Sequence, residues 1–310
     1  MDVVFFGSGA FGLPTLEWLA GHHAVGMVVT QPDRPAGRGG ELTPTPTGAW
    51  TTANLPRAPL LKPAKVNDPA VVAQIRGTPA DAWVVIAFGQ KLGRALLEGV
   101  FAINLHASLL PRWRGAAPIN AAVLAGDTRT GNSVITLADR MDAGLVLGQS
   151  HRDIGPEQTA GELHDLLAAD GPALVGSVLD AKATGAVRGN AQDESRVTIA
   201  PKLSKSDGWV DFNADPETCR RRIHGLTPWP GVTVQFRDQP VKVLRARVGP
   251  ADPAGETPGT IIEPDSGVVA CGGGILIVLE VHPAGKRAMP WADFARGHRI
   301  ARGERMIGKH

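Results

Sequence analysis

The sequence predicts an α/β fold built on a parallel sheet, followed by a small antiparallel β-barrel. In the first half, strand-like apolar runs alternate with segments that have helical spacing of apolar residues. From Trp209 onward the apolar runs are short, β-rich and separated by turn residues such as Asp265-Ser266-Gly267. The 310 residues also suffice for two domains. We expect domains at 1–183 and 209–310, joined by a polar linker at 184–208.

Composition favours an ordinary globular protein that works inside the cell. Apolar residues make up 43% of the chain, and the net charge of +2 does not by itself indicate a nucleic-acid partner. No basic leader and no apolar run of about 18 residues is visible, so we expect a soluble, cytoplasmic monomer without a membrane partner. Cys219 and Cys271 lack metal-ligand spacing, which predicts free buried thiols and no metal site.

A glycine-rich turn follows the first strand. Val3–Phe6 leads into Gly7–Gly12, a literal G-x-G-x-x-G, and a helical pattern follows. The motif is typical of dinucleotide-binding turns, and a non-catalytic dinucleotide-binding module is one interpretation. The second strand, Ala24–Thr30, instead ends in Gln31-Pro32 where a ribose-binding acid is expected. Glycines would equally serve any tight strand-to-helix turn, so we expect no nicotinamide cofactor.

The next segments predict a loop and a buried strand. Gln31–Pro46 is rich in proline and glycine, which predicts a long exposed loop whose Arg38 either contacts phosphates or is simply solvated. Asp81–Phe88 has the continuous apolar pattern of a buried parallel strand, and it ends at Gly89. Ligands bind at the carboxyl ends of such strands.

The segment Phe101–Asn120 contains the first candidate catalytic residues. Asn104 and His106 alternate with apolar residues, so both side chains should project from one face of a strand. They are either satisfied polar groups of the core or the start of a polar pocket. Downstream, the strand Asn132–Leu137 leads into a loop with Asp139 and Asp142, and Leu145–His151 is the predicted returning strand. Thr159–Ala183 has the pattern of an amphipathic helix.

Several segments together resemble the methionyl-tRNA formyltransferases, over about residues 3 to 295. The resemblance rests on HASLLPRWRGAAPI together with QPDRPAGRG, KLSK, PWPG, QPVKV, PGTII and PAGKRAM, in the order found in that family. It implies a Rossmann-like formyltransferase domain, a linker and an OB-like barrel. It also implies transfer of the formyl group of 10-formyltetrahydrofolate to the α-amino group of methionyl initiator tRNA.

The resemblance also implies the site residues. Asn104, His106 and Asp142 would be catalytic, and this fits the chemistry because an attacked formyl group develops an oxyanion that needs hydrogen-bond donors. An anionic Asp142 beside His106 would favour the imidazolium and could relay a proton. The folate would be bound by Ser108, Leu109, Leu110, Pro111, Phe88 and Gly89. Phosphates of the tRNA would be contacted by Arg38 and by basic residues of the second half, namely Lys202, Lys205 and Arg220–Arg222.

The chain departs from the family pattern at a few positions. Ala107 replaces a common Gly, Leu145 a common Asp, and Phe88 a common Tyr, while Gly40-Glu41 stands where two basic residues are usual. The last change weakens the electrostatic argument for the Arg38 loop. An alternative function, N-formyl transfer to an amino sugar-nucleotide, would use the same Asn, His and Asp. The barrel and the KLSK and PWPG segments disfavour it.

Overall fold

The computed structural model describes residues 1–36, 40–250 and 255–308. The chain divides into two compact units. The first comprises residues 1–114, 131–152 and 164–199, and the second comprises 115–130, 153–163 and 200–310. The domain boundaries expected from the sequence stay a prediction, since these units are defined by packing and interleave along the chain.

The α-helices lie at α1 Leu13–His22, α2 Pro46–Asn54, α3 Pro69–Arg76, α4 Arg94–Leu97, α5 Pro118–Ala125, α6 Ala160–Ala183, α7 Pro216–Leu226 and α8 Trp291–His298. The strands up to the middle of the chain are β1 Asp2–Gly7, β2 Ala24–Val29, β3 Arg34–Ala36, β4 Glu41–Thr43, β5 Leu60–Leu61, β6 Ala82–Ile86, β7 Ala102–His106, β8 Arg114–Gly115, β9 Arg129–Thr136 and β10 Val146–Asp153. The later strands are β11 Ile199–Ala200, β12 Val232–Phe236, β13 Gln239–Val248, β14 Ile261–Glu263, β15 Val268–Cys271, β16 Gly274–Pro283, β17 Met289–Pro290 and β18 Met306–Ile307.

The first unit is built on a mostly parallel sheet, as the sequence predicts. Its strand order is β10-β9-β7-β6-β1-β2-β5, and the pairs from β7 to β5 are parallel whereas β9 runs antiparallel to β7. The strand β6 is buried along its whole length, which explains its continuous apolar sequence. Parallel order places the carboxyl ends of β1, β6 and β7 along one edge, where the candidate site lies.

The glycine-rich turn has a packing role. An ideal Cβ at Gly7 would lie 2.5 Å from the ring of Phe5, so a side chain there would displace the core. The hydroxyl of Ser8 donates to the carbonyl oxygen of Phe88 and accepts from the amide of Gln31, which ties the ends of β1, β2 and β6 together. Glycine and serine in this turn therefore support the edge of the sheet.

The second unit contains an antiparallel sheet with the order β14-β15-β16-β13-β12-β18, and β17 pairs with β16. The two edge strands approach each other, because the amide of Ile261 donates to the carbonyl oxygen of Glu304 and the amide of Met306 donates to that of Gly259. The sheet is therefore a nearly closed barrel, consistent with the expected OB-like fold. Helices α7 and α8 contribute Ile223, Trp291 and Phe294 to its core.

Two sequence expectations can be compared directly with the structure. The predicted loop Gln31–Pro46 contains a short antiparallel ribbon, in which Arg34 pairs with Thr43. Both cysteines are free and buried, as predicted, and the hydrogen bond with Cys271 together with burial raises the pKa of Cys219.

Within the described ranges, no helix has both the length and the apolar character needed to cross a bilayer. Nor do those ranges bring together three potential His, Cys, Asp or Glu metal ligands.

Candidate active site

The carboxyl end of β7 presents Asn104 and His106 on one face. Asn104 pairs in register with Ile135 and His106 with Ser133 of β9, so both residues lie in regular sheet. Asn104 is half-buried and His106 is buried, with 6% of its surface exposed. The strand alternation therefore aims an amide and an imidazole at the same region.

Asp142 reaches the same region from the loop between β9 and β10. Its carboxylate Oδ2 lies 3.6 Å from Nδ1 of His106, and their side chains are only 14% and 7% exposed. A carboxylate and an imidazole that are largely withdrawn from water interact more strongly than the same pair on the surface. The structure thus brings His106 and Asp142 together, near the end of the strand whose same face carries Asn104.

The other ring nitrogen of His106 is engaged by the main chain. Nε2 lies 2.8 Å from the carbonyl oxygen of Trp113. A carbonyl oxygen can only accept, so Nε2 must carry the proton of this hydrogen bond. Nδ1 is consequently the nitrogen that faces Asp142 and can exchange a proton or donate to a substrate.

The loop that carries Asp142 has a tightly fixed backbone. Asp142 has φ of +53°, a left-handed conformation that is unfavourable for a residue with a side chain. Gly144 follows, and a Cβ there would lie 1.7 Å from the carbonyl oxygen of Thr136. The Thr136 amide donates to the Leu145 carbonyl oxygen, and the Leu145 amide donates to the Thr136 hydroxyl, at the base of the loop. A glycine is therefore required where the chain passes β9.

Non-glycine residues with positive φ concentrate around this region. Within the described part of the first unit they are Ala87, Trp113 and Asp142, with φ of +48°, +60° and +53°. Ala87 precedes Phe88, the Trp113 carbonyl group binds His106, and Asp142 is itself a candidate catalytic residue. Strained main chain tends to cluster at functional sites because it persists only where the surroundings hold it in place. This strain points to the same location as the polar side chains.

Residues 108 to 111 form a turn directly after β7. The Ser108 hydroxyl donates to the carbonyl oxygen of Arg112 at 2.6 Å, and Gln149 Nε2 donates to that of Leu110. Ser108 and Leu110 are buried, whereas Leu109 and Pro111 are half-buried. These polar groups of the turn are occupied by hydrogen bonds within the protein. Leu109 and Pro111 are the residues of the turn whose side chains are partly accessible to a ligand. Their predicted role in folate binding stays a prediction.

Phe88 and Gly89 follow β6, which lies beside β7. Phe88 is 2% exposed, and its ring packs edge-on against Phe6 at 5.6 Å between ring centroids. Its carbonyl oxygen accepts from Ser8 and from Gln31 Nε2. Any contact of Phe88 with a ligand would therefore come from the main chain, while Gly89 is exposed with φ of +82°.

The predicted phosphate-binding residues lie apart in sequence from the residues described so far. Arg38 falls outside the described residues. Lys202 and Lys205 are exposed in the second unit. Three neighbouring arginines are instead held by the protein itself. Arg220 and Arg221 pair with Glu217, while Arg222 donates to the carbonyl oxygens of Asp207 and Trp209 and stacks on the Trp209 ring.

The structure also reveals site residues that the sequence did not indicate. Gln192 and Glu194, which fall in the segment predicted to be a linker, contact the Asp142 loop and Arg114. These contacts join residues about 50 and about 80 positions apart, and no local periodicity indicates them. A polar Gln-Asp-Glu run between small residues is ordinary linker composition.

Comparison with known proteins identifies the family of the chain. The chain matches the family model described as "Formyl transferase" over residues 1–179 and that described as "Formyl transferase, C-terminal domain" over 202–299. Proteins named methionyl-tRNA formyltransferase are similar over nearly the whole chain. The one from Trichlorobacter lovleyi is 40% identical across 97% of this chain and 95% of its own length. The chain belongs to the methionyl-tRNA formyltransferase family. The Roseiflexus castenholzii member is 39% identical across 99% of both chains.

Solved structures of two other proteins share the fold of this chain. WlaRD, described as a sugar 3N-formyl transferase crystallised with dTDP and 5-N-formyl-THF, superposes with a TM-score of 0.66 at 11% identity. That match covers 93% of this chain and 99% of WlaRD. HypX from Aquifex aeolicus, solved with tetrahydrofolic acid, gives 0.63 at 14% identity over 94% of this chain and 46% of HypX. At such low identity these likenesses establish the architecture alone.

Proposed function

We propose that this formyltransferase transfers the formyl group of 10-formyltetrahydrofolate to the α-amino group of methionine esterified to initiator tRNA. The observation that supports the chemistry is the pairing of His106 with Asp142 at the end of β7, with 3.6 Å between the imidazole Nδ1 and the carboxylate, on the strand face shared with Asn104. The relatives' names support the acceptor, and the folates in WlaRD and HypX support the donor class.

Asn104 would stabilise the charge that develops on the formyl oxygen. The neutral amine attacks the formyl carbon, the C–O double bond becomes a C–O⁻ single bond, and the bond from carbon to the folate nitrogen then breaks. A side-chain NH₂ already aimed at this oxygen lowers the barrier because no reorganisation is needed during the reaction. The regular strand β7 fixes the main chain from which this side chain projects.

The His106–Asp142 pair would donate and accept the protons that move during the reaction. The attacking nitrogen loses one proton and the departing folate nitrogen gains one, so no net proton is consumed. Nδ1 of His106 can donate to the oxyanion while it is protonated, and the Asp142 carboxylate stabilises that proton and can accept one from the amine. The Trp113 carbonyl oxygen holds Nε2, which leaves Nδ1 as the working nitrogen.

The folate would lie against the turn that follows β7 and the exposed Gly89. Leu109 and Pro111 would supply apolar surface for the pterin. Hydrogen bonds to the polar atoms at the pterin edge would come from main-chain groups around Ser108, Leu110, Phe88 and Gly89. The left-handed conformation of Gly89 supports this role, since it leaves the main chain without a covering side chain. All of these residues belong to the first unit.

The tRNA would be bound largely by the second half of the chain. In this proposal residues 1–183 form the catalytic domain and residues 209–310 the tRNA-binding domain, with 184–208 between them. Exposed Lys202 and Lys205 are suited to phosphate contacts, and Arg38 is the candidate from the first half. We further propose that the protein acts as a cytoplasmic monomer.

A direct assay tests the function. The protein is incubated with 10-formyltetrahydrofolate labelled in the formyl group and with methionine-charged initiator tRNA, and label in the aminoacyl-tRNA is counted. Charged elongator tRNA and amino sugar-nucleotides are parallel acceptors. Formylation of initiator tRNA is expected. Labelling of the sugar-nucleotide instead would replace the proposed acceptor while keeping the formyl chemistry.

A further inference from the structure

Residues Gln192 to Thr198, here called the brace, contact the main chain beside both partners of the His106–Asp142 pair. On one side, Gln192 Nε2 donates to the carbonyl oxygens of Asp142 and Gly144 at 2.7 and 2.8 Å. On the other side, Thr198 Oγ1 accepts from the Trp113 amide at 2.9 Å. The brace is therefore bonded to the loop that carries Asp142 and to the residue whose carbonyl group binds His106.

Gln192 is itself held in place by a buried arginine. Arg114 Nε donates to Gln192 Oε1 at 2.9 Å, and the Arg114 side chain is 4% exposed. Its terminal nitrogens bind Glu194 at 2.8 and 3.4 Å in a forked arrangement. A planar guanidinium that binds two partners at once fixes their relative orientation as well as their distance.

The brace also contacts Arg140, which precedes Asp142 in the same loop. Arg140 binds Glu194 at 2.6 Å, so Glu194 lies between two guanidinium groups. These groups hold the pKa of Glu194 at about 2, with Arg114 contributing most. Glu194 is therefore an anion at every pH at which the protein would work.

The strained backbone of Asp142 explains why such support is needed. A residue with a side chain is unfavourable in the left-handed region and relaxes unless neighbouring contacts hold it. Gln192 binds the carbonyl groups on both sides of Ala143, so it fixes the peptide planes that set where the Asp142 carboxylate lies. Without these two hydrogen bonds, the loop can turn its carboxylate away from Nδ1.

We propose that Gln192 is a positioning residue for formyl transfer, oriented by Arg114 and Glu194, and that it acts through Asp142. The proposal rests on the proposed function, because it assumes that the His106–Asp142 pair takes part in the reaction. A positional error of about 1 Å at a reacting group can cost on the order of 100-fold in rate. Loss of Gln192 should therefore lower kcat much more than it changes the KM of either substrate.

The test is a double-mutant cycle that combines Gln192→Met with Asp142→Asn. Methionine is close to glutamine in length but cannot donate to the two carbonyl oxygens. In the wild-type background, Gln192→Met should lower kcat by about 10-fold to 100-fold. In the Asp142→Asn background it should lower kcat by less than about 2-fold, because the group it positions is already lost.

Two further variants separate positioning from stability. Gln192→Glu keeps an acceptor for Arg114 but sets a carboxylate against two carbonyl oxygens, so its loss of kcat should equal or exceed that of Gln192→Met. Arg76→Met is the matched control. Arg76 also bridges carbonyl oxygens, those of Ala95, Leu96 and Glu98, but it does so before β7, at the end opposite to His106. It should lower the melting temperature without lowering kcat of the folded enzyme.

Each other outcome contradicts the proposal. A decrease below about 10-fold for Gln192→Met in the wild-type background would show that the pair does not need the brace. Equal losses in both backgrounds would show that Gln192 acts independently of Asp142. If Asp142→Asn alone kept wild-type turnover, the catalytic role of Asp142 would be wrong, and the positioning role would fall with it. Failure of the proposed function can be told apart from failure of the positioning role, because only in the first case does the single Asp142→Asn variant remain active.

Discussion

The imidazole of His106 and the carboxylate of Asp142 lie 3.6 Å apart, although 36 positions of sequence separate them. One residue ends a buried strand and the other occupies a loop in the left-handed conformation. Neither element alone makes a site. Together they form a largely buried imidazole–carboxylate pair on the strand face that also carries Asn104, and the proposed function uses this pair for proton exchange and Asn104 as a donor to the oxyanion.

Removal of either partner of the pair should abolish most turnover. For His106→Ala and for Asp142→Ala we expect kcat to fall by at least about 10²-fold to 10³-fold, as happens when a transition-state hydrogen bond is removed. Circular dichroism should show that both variants are folded. Single-turnover formylation measures the effect, and near-normal activity in either variant would remove that residue from the mechanism.

Asn104 should contribute to the transition state but little to substrate binding. Asn104→Ala should lower kcat by about 10²-fold and leave the KM of the folate nearly unchanged, since the amide meets the oxygen only when charge develops on it. Asn104→Asp is the matched control, because it keeps the size but replaces the donor with an acceptor. If the aspartate variant were as active as wild type, the donor role would be excluded.

The contribution of the Glu194 charge to turnover should be the same across the working pH range. Arg114, followed by Arg140, holds the pKa of Glu194 at about 2 in the folded protein, below its ordinary value of 4.5. The ion-pair contribution to stability is therefore fully present above pH 4.5 and is lost as pH falls toward 2. Glu194→Gln should lower kcat by roughly 10-fold or less, by a constant factor from about pH 5 to about pH 9. If the ratio of wild-type kcat to variant kcat changed with pH within this range, the conclusion that Glu194 stays ionised would be wrong.

Stability of the second unit should fall in mild acid because of His224. This imidazole is fully buried and accepts from the Ala246 amide, and burial together with the charges of Arg220 and Arg245 lowers its pKa from 6.5 to about 4. Between these values the unfolded chain binds more protons, so the unfolding free energy decreases as pH drops, by about 3 kcal/mol in total. Urea unfolding from about pH 7 down to about pH 4 measures this decrease.

The matched variant for that experiment is His224→Gln. Glutamine can accept from the Ala246 amide but does not titrate in this range, so the decrease in unfolding free energy between pH 6.5 and about 4 should largely disappear. An unchanged pH dependence in the variant would assign the acid sensitivity to other groups.

The phosphate contacts should appear in the salt dependence of tRNA binding. Replacing Arg38, Lys202 or Lys205 by Ala should weaken tRNA binding and reduce the slope of log K against log salt by about one unit for each phosphate that is no longer bound. Arg222→Ala is a useful contrast, because Arg222 is held on Trp209 and should affect stability more than salt slope. Unchanged affinity and slope for Arg38→Ala would remove its loop from the interface.

Local sequence patterns predicted much of the fold because they report on burial. The continuous apolar run of β6 and the alternation in β7 reflect sheet faces directly, so strand positions and the shared face of Asn104 and His106 followed from them. Asp142 was identified only through the resemblance to known formyltransferases. From the pattern alone it was a loop acid like Asp139.

The brace could not be predicted, because nothing local specifies it. Gln192 and Arg114 are 78 positions apart, and each looks like a solvent-exposed residue of a polar segment. The role of Gln192 depends on backbone carbonyl groups of the Asp142 loop, which carry no side-chain signature. The composition of 184–208 predicts a linker and does not indicate these contacts, since composition reports flexibility on average and not the contacts of individual residues.

The most direct test of the central claim is single-turnover transfer of labelled formyl from 10-formyltetrahydrofolate to methionine-charged initiator tRNA, with wild-type protein and Asp142→Asn compared at equal substrate saturation. The account predicts rapid formylation by wild type and a loss of at least about 10²-fold in the variant. Absence of transfer by the wild-type protein, or equal rates for the two proteins, would contradict it.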